Sequence, residues 1–282
     1  MKKHFFILTI ALLSALSILA QHQKHSVEVG VFLGGSYYIG DLNPTQHLNE
    51  FTKPAGGIVC RYNISKRLAA RANLLFGNIE GHDSYSNSPA AVQRNLNFKS
   101  PIDELSAQLE FNFFDYAIGN EKKKFSPYIF LGIAGFKFNP SGELPNGDWV
   151  ALQPLGTEGQ GLDGGATKKK YKLIQMSIPF GVGAKVNLAK NIGISFEWGM
   201  RKTFTDYLDD VSGKYYDPVK LAAARGATAA VLSDQSIGTD PKFSNAGRER
   251  GNPTNNDWYS FVGMALTVKL KGKPETCPAF TY

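Results

Sequence analysis

The sequence predicts an all-β protein that forms an eight-stranded antiparallel transmembrane β-barrel of the outer-membrane type. Three observations predict it: apolar residues alternate with small or polar ones in eight short runs, the links between runs are alternately short and long, and the chain begins with an apolar export signal. A period of two separates the two faces of a strand. An even strand number, with short turns on one side and long loops on the other, is typical of outer-membrane barrels.

Residues 174–186 show the clearest alternation. Large apolar residues take nearly every even position from Ile174 to Val186, and small or polar residues take the odd positions. Three other runs repeat the pattern well and four are weaker, of which residues 127–138 are apolar at both parities. The eight predicted strands cover residues 27–34, 55–62, 69–78, 105–113, 127–138, 174–186, 192–201 and 258–270.

The links between these runs give the predicted barrel two different ends. Short links lie at residues 63–67, 120–124 and 188–191, and long ones at 35–54, 79–102, 139–170 and 202–257. We therefore expect short periplasmic turns and long extracellular loops. Residues 219–231, in the longest loop, predict a short helix.

The N-terminus predicts a cleavable signal peptide over residues 1–20, because two lysines precede an apolar stretch of signal-peptide length. Residues 21–270 then form the barrel, and residues 271–282 a periplasmic C-terminal tail. Export places Cys60 and Cys277 in an oxidising compartment, and both are expected at the periplasmic rim. Three arrangements stay open: a bridge between the two cysteines, a disulfide from one of them to a partner protein, or two free thiols.

If the strand positions that carry large apolar residues face lipid, the alternate positions, which carry small and charged residues, must face the lumen. Charged residues inside a barrel persist when they are paired, and eight strands enclose an interior just wide enough for side chains. We therefore predict a plugged, salt-bridged lumen without a conducting pore. Its charged residues are Glu28, Arg61, Arg71, Glu110, Lys185, Glu197, Arg201 and Lys269.

The sequence offers no convincing catalytic, cofactor-binding or metal-ligating set. His82, beside Asp83 and Ser84, is a local candidate for rim catalysis, but polar loop residues explain it better. The acidic segment from Asp206 to Asp210 does not match a calcium-loop spacing, and we interpret it as a solvated loop. The 31 basic and 24 acidic residues give a net charge of +7 that is scattered along the chain, so nucleic acid is not an expected partner.

Several short motifs resemble a known family, the PorG-type outer-membrane proteins of the type IX secretion system of Bacteroidota, which have a DUF6089-like core. In this order the motifs cover nearly the whole mature chain. They are Ser36-Tyr37-Tyr38-Ile39-Gly40-Asp41-Leu42-Asn43-Pro44, Phe76-Gly77-Asn78-Ile79-Glu80-Gly81-His82-Asp83, Phe125-Ser126-Pro127-Tyr128, Phe136-Lys137-Phe138-Asn139-Pro140, residues 196–213 and Arg250-Gly251-Asn252.

The resemblance implies a structural, non-enzymatic barrel in the outer membrane. Such a protein would dock the periplasmic ring built from a PorK-type lipoprotein and PorN-type subunits, with contacts through its periplasmic turns and the tail that carries Cys277. Two other functions are compatible with the sequence: a surface adhesin or ligand-binding barrel that acts through its long loops, and a lipid-modifying enzyme that acts at the rim.

Overall fold

Eight long antiparallel strands close into a barrel. The computed structural model describes residues 26–120, 122–238 and 244–270. The strands are β1 Ser26–Ile39, β2 Lys53–Asn63, β3 Leu68–His82, β4 Asn97–Asn112, β5 Phe125–Phe138, the short β6 Ser141–Glu143 and β7 Trp149–Ala151, then β8 Ile174–Asn187, β9 Ile192–Thr203 and β10 Trp258–Lys269. Each long strand pairs with its neighbours in the order β3-β2-β1-β10-β9-β8-β5-β4, and β3 pairs with β4 to close the ring. The predicted eight-stranded barrel is confirmed.

The two faces of the strands differ as the alternation predicts. Along β4, buried and exposed residues alternate without interruption. The outward positions carry large apolar side chains that are strongly exposed, such as Leu105 at 64% and Leu109 at 55%. An apolar surface that surrounds the whole barrel is far larger than a water-soluble monomer tolerates. Its natural solvent is the hydrocarbon of a bilayer, in which a closed barrel leaves no strand edge unpaired.

The connections divide the barrel into a periplasmic and an extracellular end. Residues 64–67, 113–124 and 188–191 join strands at one end, which also carries the end of β10 at Lys269. Residues 40–52, 83–96, 139–173 and 204–257 join strands at the other end. We assign the first end to the periplasm because short turns face that side in outer-membrane barrels.

The long loops are folded rather than trailing. Residues 83–96 contain a 3₁₀ turn, Asp83–Tyr85, and a helix, Pro89–Arg94. The predicted helix at 219–231 occurs as two short helices, Pro218–Arg225 and Ala227–Ser233, because Gly226 breaks it with φ +93°. Within the described part of the chain, no helix has the length and apolar character needed to cross a membrane.

An apolar core fills the extracellular half of the barrel and continues into the loops. Its strand residues are large aromatics such as Phe98, Phe138 and Phe261, and its loop residues include Leu208 and Leu232, all essentially buried. The loops therefore seal the barrel mouth with the same packing that stabilises the strands.

Candidate functional site

The periplasmic half of the lumen is organised around Glu110. Its Oε2 accepts hydrogen bonds from Arg61 Nε at 2.8 Å and from Lys185 Nζ, and its Oε1 lies 3.1 Å from Arg71 Nη1. Arg61 also donates through Nη1 to Glu28 Oε2 at 2.7 Å. All five side chains are buried. One carboxylate on β4 thus joins cations from β2, β3 and β8 across the interior.

A second set of contacts lies in the lumen nearer the extracellular end. Arg71 donates to Glu197, which also accepts from the Tyr128 hydroxyl at 2.9 Å. Arg201 Nε donates to Glu104 Oε2 at 3.0 Å. Glu104 is not among the predicted lumen residues, because it lies one residue before the predicted strand at 105–113. It has the same parity as Glu110, and this parity could have identified it as an inward residue.

The lumen charges balance within the described strands. Four carboxylates and four cations are buried there: Glu28, Glu104, Glu110 and Glu197 with Arg61, Arg71, Lys185 and Arg201. Lys269 lies at the periplasmic rim instead, half-buried, and donates to the Ile118 carbonyl at 3.3 Å. The predicted excess of cations is therefore replaced by a neutral set that fills the interior.

A second buried polar group lies at the extracellular end, beneath the folded loops. We call it the loop cap. Seven carboxyl groups in it face only two arginines, and a buried tyrosine of β1 lies between two of the carboxyl groups. Its members are Tyr38, Asp41, Asp83, Arg94, Glu158, Asp206, Asp209, Asp210, Arg250 and Asp257.

Tyr38 contacts two carboxyl groups with one hydroxyl. Its oxygen lies 2.5 Å from Asp209 Oδ2 and 3.2 Å from Asp257 Oδ1. The other oxygen of each carboxyl accepts a backbone N–H at 2.9 Å, from Val211 and Leu208 respectively. A tyrosine hydroxyl carries one proton. A second proton on one of the carboxyl groups is therefore required for both contacts to be hydrogen bonds.

Gly40 makes this arrangement sterically possible. A Cβ at position 40 would lie 2.0 Å from Asp257 Oδ1 and 2.1 Å from the Tyr38 hydroxyl oxygen. No side chain fits there, because real Cβ contacts are never this short. The glycine therefore allows the chain to pass directly over the side chains of Tyr38 and Asp257.

The two arginines of the loop cap connect separate loops. Arg94 donates to both oxygens of Asp83 at 2.7 Å and to the carbonyls of Asp41 and Arg250 at 2.9 and 2.5 Å. Arg250 donates to Glu158 Oε1 at 3.1 Å and to the Asp210 carbonyl at 2.5 Å. Residues from each long loop at this end are thereby held together.

The interpretation of residues 206–210 as a solvated loop is wrong. Asp209 and Asp210 are essentially buried and Asp206 is 8% exposed. Their partners are distant in sequence: Asp210 accepts from Thr157 and from the Tyr171 hydroxyl, the latter at 2.7 Å. Among the described residues, no group of three or more His, Cys, Asp or Glu side chains is arranged to hold a metal ion.

Burial raises the pKa values of four aspartates of the loop cap. The pKa of Asp206 rises to about 7, chiefly through burial and also through the nearby charges of Asp41 and Glu158. Burial raises the pKa of Asp210 to about 6, against the opposing effect of Arg250. The pKa values of Asp209 and Asp257 are raised by burial, and next by the neighbouring carboxylates Asp41 and Asp209 respectively.

His82 is not assembled into a catalytic set. Its Nε2 lies 2.9 Å from Glu80 Oε1, and its ring stacks on Phe51 with centroids 5.0 Å apart. Asp83 is occupied by Arg94 instead. The neighbouring histidine and aspartate of the sequence therefore point to different partners.

The periplasmic rim carries exposed basic side chains. Within the connections 64–67, 113–124 and 188–191, the sequence has six basic and two acidic residues. Asp115 neutralises part of this charge, with ion pairs to Arg67 at 3.2 Å and Lys123 at 2.5 Å. The exposed cations of the rim are Lys66, Arg67, Lys122, Lys124 and Lys190.

Cys60 lies on the outer face of β2, three residues from the periplasmic end of the strand, is exposed, and forms no disulfide with another described residue. Cys277 lies outside the described residues, together with the predicted signal peptide and the whole predicted tail, residues 271–282. The pairing of the two cysteines remains a prediction.

Four of the six motifs on which the resemblance rests meet in space, those at residues 36–44, 76–83, 196–213 and 250–252. From the first motif, Tyr38 contacts Asp209 and Gly40 lies against Asp257. Both oxygens of Asp41 accept the Asn252 backbone N–H at 3.0–3.1 Å. Asp83, from the second motif, holds Arg94. Residues that are far apart in the sequence therefore build one structure, the loop cap.

Residues 3–146 match the family described as Domain of unknown function (DUF6089). The chain belongs to the DUF6089 family. No curated protein sequence matches it.

Solved structures that resemble this DUF6089 barrel include Ail, the attachment invasion locus protein of Yersinia pestis, a major outer membrane protein of Thermus thermophilus, and OprG of Pseudomonas aeruginosa. Ail has 10% sequence identity and a TM-score of 0.41, and the match covers 88% of this chain and 100% of Ail. The Thermus protein has 12% identity, a TM-score of 0.41, and coverage of 86% and 99%. OprG has 9% identity, a TM-score of 0.36, and coverage of 90% and 100%. These likenesses concern the barrel fold.

Proposed function

We propose that this DUF6089 barrel is a non-enzymatic outer-membrane component of the type IX secretion system. It docks the periplasmic ring of PorK-type lipoprotein and PorN-type subunits to the membrane. The motif resemblance and the family match support the assignment. The filled, charge-balanced lumen supports a role in anchoring rather than in transport through the barrel itself.

The observation that carries the docking proposal is the basic periplasmic rim. Five exposed cations lie on the turns that face the periplasm, and only one described acidic residue, Asp115, lies among them. A rim of one sign steers and orients a partner of the opposite sign. The ring surface that meets the barrel should therefore be acidic.

The cysteines add a covalent form of the same contact. β10 ends at Lys269 on the periplasmic rim, beside the basic turns, and Cys277 follows eight residues later in the sequence. In this proposal, Cys277 or the exposed Cys60 forms a disulfide with a ring protein in the oxidising periplasm.

The test is affinity purification of the tagged barrel from gently solubilised envelopes, with and without reductant. The wild type should recover the PorK-type and PorN-type proteins. The variant K122E/K124E/K190E should recover much less of them, while the matched control K168E/K169E/K220E, with three exposed lysines reversed in the extracellular loops, should behave like the wild type. Recovery of no ring protein by the wild type would contradict the proposal.

The disulfide has its own readout in the same experiment. A reductant-sensitive adduct that disappears in Cys277→Ser or Cys60→Ser identifies the cysteine that bonds the partner. An adduct that survives both substitutions, or a bridge between the two cysteines themselves, would contradict a partner disulfide.

The folded extracellular loops favour a second candidate, a surface adhesin or ligand-binding barrel. A cleft of about 420 Å³ opens beside the loop cap, lined by Asp41, Arg94, Tyr215, Arg248 and Asn252 among others. If this cleft carries the function, deletion of residues 210–250 abolishes it and leaves recovery of the ring proteins intact. If the barrel acts by docking, a deletion variant that still folds retains both its function and the recovery of the ring proteins.

A further inference from the structure

Four lysines form a basic sector on the outer wall of the barrel, at its extracellular edge. Lys99 is the third residue of β4, Lys137 and Lys202 are the next-to-last residues of β5 and β9, and Lys172 lies two residues before β8. All four are exposed. The three lysines within strands occupy the parity that faces lipid, opposite to the inward residues Phe98, Phe138 and Arg201.

The basic sector occupies one side of the barrel. Strands β4, β5, β8 and β9 are consecutive in the closed sheet. Among the described residues of the other four long strands, Lys53 is the cation at this edge, and it is paired with Glu80 at 2.8 Å. Within the sector, Asp103 faces Lys137 across the β4–β5 pair. Lys99 faces Glu80 across the β3–β4 pair, and Glu80 is itself paired with Lys53. The four lysines and Lys53 outnumber the two strand carboxylates, Asp103 and Glu80, and leave a net positive charge at this edge.

Tryptophan rings position two of these cations. Lys99 Nζ lies 3.8 Å from the centroid of the Trp149 ring, and Lys202 Nζ lies 5.9 Å from that of Trp258. Both distances allow cation–π attraction. Tryptophan is also the side chain that favours the interface between hydrocarbon and water. The sector therefore lies at the depth of lipid headgroups.

An apolar groove lies directly below these lysines. Leu105, Ile133, Ile174 and Met176 are each at least 60% exposed. Gly135 faces outward between Leu105 and Met176, and a Cβ at this position would meet no atom within 4 Å. The absent side chain leaves a shallow seat for an acyl chain, flanked by two large apolar residues.

We propose that the basic sector and this groove bind a phosphorylated glycolipid of the outer leaflet, of the lipid A class. Its phosphate groups lie among Lys137, Lys172 and Lys202, and one acyl chain lies over Gly135. A lysine ammonium is an effective point charge for phosphate. Free phosphate alone would bind weakly to such exposed lysines, and the groove supplies the contact that only a lipid can make.

The test is native mass spectrometry of the full-length barrel, reconstituted with lipid A or with its dephosphorylated form. The wild type should retain lipid A, and K137Q/K172Q/K202Q should retain it with about tenfold or more lower affinity, since each basic residue at a membrane surface contributes to the attraction of anionic lipid. The control K66Q/K122Q/K190Q removes three lysines at the periplasmic rim and should bind like the wild type. Heat-dependent gel mobility verifies that each variant is folded.

Gly135→Leu separates the two halves of the proposed site. It fills the groove and leaves every lysine in place, so it should weaken lipid A retention without changing the fold. Equal retention by the triple variant, equal retention of dephosphorylated lipid, or full displacement by millimolar inorganic phosphate would each overturn the proposal.

Discussion

Glu110 shows how much of the lumen depends on a single side chain. Its carboxylate receives Arg61 and Lys185 on one oxygen and lies 3.1 Å from Arg71 on the other, in a region without solvent exposure. Pairing offsets the cost of removing four charges from water. Removing the carboxylate charge would leave three buried cations with too few partners.

Glu110→Gln should therefore lower the free energy of unfolding by about 3–5 kcal/mol, the usual cost of breaking a buried ion pair. Equilibrium unfolding by urea in lipid vesicles measures it. Asp103→Asn, an exposed carboxylate on the same strand, is the matched control and should change stability by about 0.5 kcal/mol or less. Equal effects of the two substitutions would contradict the role assigned to Glu110.

Gly40→Ala tests the packing of the loop cap at one atom. The added Cβ would meet Tyr38 and Asp257 at about 2 Å, so the loop cap must shift at a cost of about 1–3 kcal/mol. We expect faster protease cleavage within residues 204–257 while the barrel remains folded. The control Gly135→Ala adds a methyl group in open space on the outer wall. Protease should cleave this variant at the same rate as the wild type. Unchanged cleavage of Gly40→Ala would show that the close approach is not structurally important.

At the scale of elements, the loop cap should respond to pH. The pKa of Asp206 is about 7 in the folded protein against an ordinary value of 3.8, and that of Asp210 is about 6. Between pH 3.8 and these raised pKa values, the folded loop cap binds more protons than the unfolded chain, so the stability of the loop cap falls as the pH rises. Burial is the main cause in both residues.

We therefore expect the segments 204–215 and 244–257 to be better protected at pH 5 than at pH 8. Hydrogen exchange, corrected for its intrinsic pH dependence, measures this directly. Asp206→Asn should reduce the difference, and Asp217→Asn, which alters a helix cap outside the buried cluster, should preserve it. Greater protection at pH 8 would reverse the sign and contradict the argument.

The strands could be predicted from the sequence except at their extracellular ends. The run at 105–113 corresponds to β4, which begins at Asn97, and the run at 69–78 corresponds to β3, which continues to His82. The missing parts rise above the apolar band, where outward positions carry Lys99, Asp103 or Glu80 instead of apolar residues. There the alternation reverses its sense, because outward positions carry polar residues while inward ones such as Phe98 and Ile102 belong to the apolar core.

The loop cap could not be predicted, and the reason is the distance between its parts in the sequence. Tyr38 and Asp209 are 171 positions apart, and Arg94 and Arg250 are 156 apart. The aspartates and the tyrosine within 206–210 look like a solvated turn until the groups that bury them are known. In the lumen, by contrast, parity alone placed seven of the eight buried charges on the correct face.

At the scale of the whole molecule, the filled lumen predicts that the protein does not conduct. The wild type in planar bilayers should show no discrete current steps, because side chains from opposite walls meet in the interior. R71A/R201A removes two of the side chains that cross the lumen and should introduce steps. Steps of equal size in the wild type would contradict a plugged barrel.

The cross-lumen contacts also bear on how the barrel assembles. Arg71 of β3 meets Glu197 of β9, and Tyr259 of β10 meets Glu104 of β4 at 2.9 Å; in each case the two strands are not neighbours in the closed ring. An unclosed sheet brings neither pair together, so a partly formed barrel would expose unpaired charges to the bilayer. Ring closure and charge pairing are therefore one event, and membrane insertion should proceed without a stable half-barrel intermediate.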